Sequence, residues 1–492
     1  MIMSREIRRV AIIGAGPAGL SAAKHLLAEN YFEKIDIFEK RSSPGGVWNY
    51  TPGNLKLDLP TPVPQLDPNY PAEKPVWQPV KDAHRQHEEP VFISPIYSTL
   101  DTNIPKEIMA YGEKRFPADS QVLPTHSTVK EYLDEYAEDV KHLIAFETEV
   151  LDVRRPQHAK QWVITTRNLR TKFTETNSFD AVVAASGHFD VPYMPDIPGI
   201  QQWNEQYPGV ISHSRLFDSP DDFRGKKVVV VGSSASAIDI GNQINTVSRG
   251  KLLVSQRTKS YLIPKNGPDT SDRIDYPEIV DFLPPTERDR AIRFADGRIE
   301  TDIDSIVFCT GYLYSFPFLS SLDPPIITDG RRTLNTYQHL FYIYDTSLVF
   351  PVLPQRVIPF QLSENQAAVF ARVWSGRLSL PPVPEMKAWE DATAIEKGNG
   401  TSFHLLPFPL DAIYMNLLHE WAAKAEPRSG LINDGNGKQG NYWGGYERWI
   451  RSLFPEIRKT FVDKGEERHG ITSLKQLGYD FDTWKEQQEQ GA

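Results

Sequence analysis

The sequence predicts an α/β fold of two Rossmann-like units, the second inserted into the first. Two apolar runs, Val10-Ala-Ile-Ile13 and Val228-Val-Val-Val231, each lead into a turn of small residues and then a helical pattern. In both units a charged residue closes the next strand 25 positions after the leading glycine: Glu39 after Gly14, and Arg257 after Gly232. Two later apolar runs end in glycine, at Gly187 and Gly311, which points to repeated crossings between the units. The expected boundaries are 1–204 for the first part of the larger domain, 205–329 for the inserted domain, and 330–492 for the return with C-terminal helices.

Each element has its own signal. Arg8–Ile13 reads as a buried strand, Ala18–Leu27 as a helix by the spacing of Leu20, Ala23, Leu26 and Leu27, and Lys34–Phe38 as the second strand. Ser43-Pro-Gly-Gly-Val-Trp48 makes a tight turn. From about Pro52 to Pro95 the chain is dense in proline and aperiodic, and proline is excluded from helix interiors and central strands. Val76, Trp77, Val91, Phe92 and Ile93 favour an ordered loop there over a flexible linker. Thr128–Glu147 reads as an amphipathic helix running into a strand. Glu149–Arg154 and Gln161–Thr166 form an antiparallel pair, and Asp180–Ala184 is a further buried strand. Pro192–Gly199 is a rigid connector, Ser305–Cys309 a buried strand, and Ser363–Arg377 a late helix.

A chain of 492 residues exceeds one ordinary core, so two or three domains are expected. The net charge of −10 argues against nucleic acid as a partner, since phosphate binding needs a basic surface. Cys309 is the single cysteine, which removes both an internal disulfide and the CxxC couple of a dithiol reductase. A reducing, cytoplasmic setting is the simplest reading. Arg8-Arg9 before Val10–Leu27 imitates a secretory signal, but glycines and Lys24 interrupt the run. No stretch approaches the ~20 apolar residues of a membrane span.

The first turn, Gly14-Ala-Gly16-Pro17-Ala18-Gly19, lets the backbone approach a pyrophosphate at a helix N-terminus. The Glu39 carboxylate accepts hydrogen bonds from ribose hydroxyls. In the second turn, Gly232-Ser233-Ser234-Ala-Ser236-Ala237, serine and alanine replace two glycines. Small side chains still allow close approach, and the hydroxyls add donors for phosphate. An ordinary βα turn rich in small residues is the plainer alternative. The Arg257 guanidinium suits a 2′-phosphate, with Lys259 near enough to assist. One chain therefore holds two dinucleotides, one of them phosphorylated, as in an enzyme passing electrons from NADPH to a second cofactor.

Between the turns lies Tyr207-Pro-Gly209-Val-Ile-Ser-His213-Ser-Arg215-Leu-Phe217. This resembles the FxGxxxHxxxF/Y motif of flavin-containing monooxygenases, with Tyr207 for the first phenylalanine. Gly45-Gly46-Val47-Trp48, Asp304–Tyr312 and Tyr97–Pro105 resemble three further family segments. The matches run from residue 8 to about 380 and look most like the soluble fungal and yeast members. The resemblance implies a FAD domain interrupted by an NADPH domain. It implies a small-molecule substrate and O₂: NADPH reduces FAD, and a C4a-hydroperoxyflavin oxygenates a nucleophilic nitrogen or sulfur. No metal is implied. Asn103 is carried over as the active-site amide that holds the peroxide, although an asparagine in a Thr-Asn-x-Pro turn is common on local grounds. FAD contacts are implied for Lys40, Gly46, Val47, Trp48, Thr102, Val150 and Gln366. Trp48 is equally a core residue, and Ser363–Gln366 would open the late helix toward the flavin. His213 reads as a structural link, Arg215 as a phosphate contact or a surface ion-pair member, and Cys309 as an inert small hydrophobe.

A Baeyer–Villiger monooxygenase is the nearest rival, but its fingerprint ends in tryptophan where this chain has Phe217. An NADPH-dependent flavin reductase or oxidase fits the two turns equally well. Substrate and oligomeric state are left open, a homo-oligomer included.

Overall fold

Alternate residues of the first strand face opposite ways, and two different layers cover them. In the computed structural model, which describes residues 6–56, 61–71, 73–79, 87–156, 159–258 and 273–490, Val10 and Ile12 pack into a helical layer. Ala11 and Ile13 pack beneath a three-stranded antiparallel sheet of Thr148–Arg154, Trp162–Asn168 and Thr174–Phe179. The Arg9–Ile13 strand is thus covered on both faces, as a parallel strand must be. It lies inside a seven-stranded sheet. Ala181–Ala184 and Lys34–Phe38 flank it in parallel, Ile144–Ala145 closes one edge, and Leu348–Val349, Phe341–Tyr342 and Thr336–Tyr337 extend the other.

The helical layer contains Pro17–Ala28 and the late helix Pro359–Trp374. Just beyond the late helix, Arg377 donates to both oxygens of Glu29 at 2.8 and 2.7 Å, with both side chains buried. Burial alone would raise the Glu29 carboxyl. Hydrogen bonds from Arg377 and Ser375, with the Arg377 charge, outweigh it and hold the group below its ordinary range.

The second sheet has five parallel strands in the order Ile211–His213, Ser305–Phe308, Val228–Val231, Leu252–Ser255, Arg273–Tyr276. Its central strand repeats the logic of the first. Val229 packs with Trp203, Phe282 and Phe294 on one face, while Val228 and Val230 pack under the Ala235–Asn245 helix on the other. All its strands fall between Ile211 and Phe308, and the later strands rejoin the first sheet, so one unit is inserted into the other. The two crossing segments run side by side: Val191–Pro192 pairs antiparallel with Tyr312–Leu313.

Three elements depart from expectation. The proline-dense segment contains a short helix, Gly53–Lys56, and a two-stranded ribbon of Val76–Pro79 with Glu88–Val91. Proline is tolerated there because a two-stranded ribbon consists of edges. The strand Thr174–Phe179 was not foreseen, because most of its side chains are polar and solvent-facing and carry no apolar alternation. The late helix begins at Pro359, a full turn before Ser363, with proline at the first helical position where its missing N–H costs nothing. Among the described residues, no helix is long and apolar enough to cross a membrane.

Candidate active site

The two glycine turns are built alike. Gly14 has φ of +100°, and a Cβ on it would sit 2.6 Å from the Ala185 carbonyl oxygen. Gly232 has φ of +133°, and its Cβ would meet the Cys309 carbonyl oxygen at the same 2.6 Å. Each leading glycine therefore passes directly over the end of the neighbouring parallel strand, where only glycine fits. The turns diverge at the third small residue. A Cβ on Gly19 would lie 1.9 Å from the Gly14 carbonyl, whereas Ala237 carries a real Cβ and is buried. The second turn already accommodates a methyl at this point.

The Gly45-Gly46 turn closes over the first. The Gly45 N–H donates to Ala15 O at 2.9 Å, and a Cβ on Gly46 would approach Gly16 Cα to 3.1 Å. Glu39 is buried. One carboxylate oxygen accepts from Ala15 N at 2.7 Å and the other from Arg41 N at 2.9 Å. Each oxygen keeps a further lone pair for a ribose hydroxyl. Trp48 and Tyr111 both pack on Phe360, at 6.3 and 5.0 Å between ring centroids, and the Tyr111 hydroxyl donates to Pro17 O at 2.8 Å. The N-terminus of the late helix thus sits beside the first turn, but through Phe360.

Ser363–Gln366 lie within the helix instead of opening it. Gln366 is fully buried, accepts from Val352 N at 2.7 Å and donates to Tyr414 Oη at 3.2 Å. Lys40 pairs with Asp190 at 3.2 Å, and the Val47 carbonyl accepts from Ser94. Val150 follows Glu39 in space, because Thr148 N donates to the Glu39 carbonyl at 2.8 Å.

In the second turn Ser234 caps its helix without a side-chain hydrogen bond, and Ser234 and Ser236 are exposed. Arg257 is exposed at the sheet's C-terminal edge. Strand register corrects its equivalence to Glu39. Ile13 pairs with Phe38, but Val231 pairs with Ser255, so the second unit is one residue shorter between turn and strand end. Gln256 takes the Glu39 place, and Arg257 follows in the place of Lys40. Lys259 lies outside the described residues.

Asn103 is half-buried in the turn before the Lys106–Met109 helix; Thr102 N donates to Pro124 O at 2.9 Å and Thr102 Oγ1 to Ile104 O at 3.2 Å. Its segment is tied at both ends. Tyr97 donates to Asp239 and Thr99 to Gln243 at 2.6 Å, both acceptors on the second unit's helix. Tyr111 reaches back to the first turn through Pro17. The Tyr207–Phe217 motif docks on the same segment: Phe217 meets the Tyr97 ring edge-on at 5.1 Å, and Ser98 Oγ donates to Asp218 O at 2.9 Å. Asp239, Asp218, Tyr111 and Phe360 carried no local sequence signal, because their roles are contacts over long stretches of chain.

His213 is buried between Arg215 N, which donates to Nδ1 at 3.1 Å, and the Gly311 carbonyl, 3.1 Å from Nε2. That fixes the Nε2–H tautomer. Burial pulls its pKa down to about 3, so the ring is a neutral link between strand ends. Arg215 is buried and forms an ion pair with the partly buried Glu73 of the proline-dense segment, so it is not a surface ion-pair member. Burial pushes the Cys309 thiol up to about 12, as befits an inert side chain.

Two dinucleotide turns, each at the end of a central parallel strand, one unit inserted in the other and a segment tied to both, define a two-dinucleotide flavoprotein oxidoreductase. The flavin-binding monooxygenase-like family matches residues 84–272 and 285–406, and an NAD(P)-binding Rossmann-like domain matches residues 12–64. The chain is 32% identical over 482 residues to the flavin-containing monooxygenase FMO GS-OX3 of Arabidopsis thaliana, covering 93% of this chain and 92% of that one. It is 29% identical to the flavin-containing monooxygenase ustF2 of Aspergillus flavus, covering 87% and 94%. The solved S-allyl-L-cysteine S-oxygenase of Allium sativum superposes with a TM-score of 0.73 at 27% identity over 96% of both chains. The chain belongs to the flavin-containing monooxygenase family, and it is an oxidoreductase that uses FAD and NADPH.

Proposed function

We propose that this enzyme oxygenates a nucleophilic nitrogen or sulfur of a small molecule. NADPH, a proton, O₂ and the nucleophile give NADP⁺, water and the oxygenated product, one atom of O₂ going to the nucleophile and the other to water. The carrying observation is the placement of Asn103, on a segment anchored at one end to the second unit's helix and at the other to the first turn. Bound FAD supplies the redox chemistry that activates O₂. The chain's own residues bind, orient and exclude water. Gly14, Gly16, Pro17, Ala18 and Gly19 cradle the FAD pyrophosphate, Glu39 takes its ribose, and Gly46, Val47 and Trp48 cover it. Gly232, Ser233, Ser234, Ser236 and Ala237 take the NADPH pyrophosphate, and Arg257 its 2′-phosphate. The Asn103 amide donates and accepts without being an acid, so it holds reacting oxygen without delivering a proton that would release hydrogen peroxide. Insertion beside a carbonyl is the second reading; the cyclohexanone monooxygenase structures share the fold at 14% identity, while Phe217 stands where that class ends its fingerprint in tryptophan.

The test is NADPH-driven O₂ consumption with a thioether, a tertiary amine and a cyclic ketone, with peroxide and product quantified. Sulfoxide or N-oxide in stoichiometric proportion to NADPH is expected. Ester from the ketone alone would transfer the assignment to the second reading, and peroxide alone with every substrate would leave an oxidase.

A further inference from the structure

We infer that Gln256 is a specificity residue that sorts phosphorylated from unphosphorylated pyridine nucleotide; this rests on the assignment of the Gly232 unit to NADPH. Its equivalence to Glu39 stands on matched geometry. Gly14 N donates to Phe38 O at 2.8 Å, and Gly232 N to Ser255 O at 2.9 Å. The next residue in each strand donates its own N–H to the end of the outer neighbouring strand, Glu39 to Ala145 O and Gln256 to Tyr276 O, both at 3.0 Å. Glu39 and Gln256 therefore leave their sheets at the same point relative to the glycine turn.

Their side chains differ in state. Both oxygens of Glu39 accept from backbone N–H groups. The Gln256 side-chain oxygen is buried and has no donor among the described residues. A buried acceptor without a partner costs free energy, so its retention calls for a reason. A ligand donor is the reason this position offers, because the matching position in the first unit is where a ribose hydroxyl is taken.

The chemistry of an amide fits one ribose and not the other. An unphosphorylated ribose presents two hydroxyl donors, which a carboxylate accepts well. A 2′-phosphorylated ribose presents one hydroxyl donor and one anionic acceptor. An amide offers one acceptor and one donor group, which matches that pair, whereas a carboxylate in its place would repel the phosphate. Gln256 thus takes the 3′-hydroxyl on its oxygen and the phosphate edge on its NH₂, with Arg257 next along the chain adding the charge.

The test is equilibrium titration of FAD-loaded enzyme with NADP⁺ and NAD⁺ separately, for wild type, Gln256→Glu and Gln256→Leu, with FAD content confirming the fold of each. Gln256→Glu is expected to weaken NADP⁺ at least tenfold while NAD⁺ binds as well as before or better. Gln256→Leu, which cannot suffer from a buried charge, is expected to weaken both nucleotides about fivefold. Affinities within twofold of wild type for both nucleotides in a folded variant would overturn the role of Gln256. Absence of saturable NADP⁺ binding in the wild type would instead overturn the assignment of the unit, and the inference with it.

Discussion

Arg257 stands exposed at the rim of the second sheet, where a guanidinium meets phosphate without first leaving water. Charge-assisted hydrogen bonds are worth about 1.5–3 kcal/mol. Arg257→Ala is therefore expected to weaken NADP⁺ binding roughly ten- to a hundredfold in equilibrium titration, with NAD⁺ unaffected. An unchanged NADP⁺/NAD⁺ ratio would remove it from the 2′-phosphate. The role proposed for Asn103 is read differently, through the fate of oxygen. Asn103→Ala is expected to raise the hydrogen peroxide formed per NADPH consumed and to lower product by the same amount; measured coupling equal to wild type would discard the role. Both residues were candidates from the sequence, Asn103 by resemblance and Arg257 by a spacing whose match to Glu39 the strand register moves by one place. Gln256 was not, because a count of residues cannot detect that the second unit is one residue shorter between turn and strand end.

At the scale of elements, the two turns test how much of a glycine pattern is steric. Gly19 faces the Gly14 carbonyl so closely that a Cβ would lie 1.9 Å away, inside any contact distance. Gly19→Ala must push the Pro17–Ala28 helix off the turn, at about 1–3 kcal/mol for overpacking. It is expected to yield protein depleted in FAD, read from the flavin absorbance per chain. Ala237→Gly removes a methyl from a turn already built around one, and should bind NADP⁺ within a few-fold of wild type. The reverse ranking would mean that the two turns do not hold their ligands as proposed. The strand–turn–helix units were legible because small residues and apolar runs are local signals. The late helix starts a turn earlier than the sequence predicts, and its first turn carries Phe360, which docks on Tyr111 and Trp48, far away in sequence.

The whole molecule buries several histidines as neutral rings. Thr333 N donates to His404 Nε2 at 3.2 Å, so that nitrogen is bare; His404 Nδ1–H then faces His339 Nδ1 at 3.0 Å. Burial draws His339 down to about 3 and His404 well below its ordinary value, and His213 also falls to about 3. An unfolded histidine titrates near 6.5. Between these values the unfolded chain takes protons that the folded chain refuses. Stability is thus fully present above pH ~6.5 and is lost progressively as pH falls toward ~3, by about 1.4 kcal/mol per pH unit for each such histidine. The denaturation midpoint should drop between pH 7.5 and 5, and His404→Asn should make that drop shallower by one proton's worth. A midpoint flat over this range would contradict the neutral burial of these rings.

The two-unit α/β plan, the pair of glycine turns and the family resemblance are all written in local stretches of sequence. Those depend on local sterics and patterning: a glycine that must pass over a strand end, or a valine run that must be covered on both faces. Three features came from the folded chain alone: which residue follows the strand end beside each glycine turn, where the late helix begins, and the tie of the Asn103 segment to both units. Register, docking and bridging are set by hydrogen bonds and packing between residues far apart in the chain, as between Val231 and Ser255, Tyr97 and Asp239, or Tyr111 and Pro17. Such partners leave no mark in the spacing of either one.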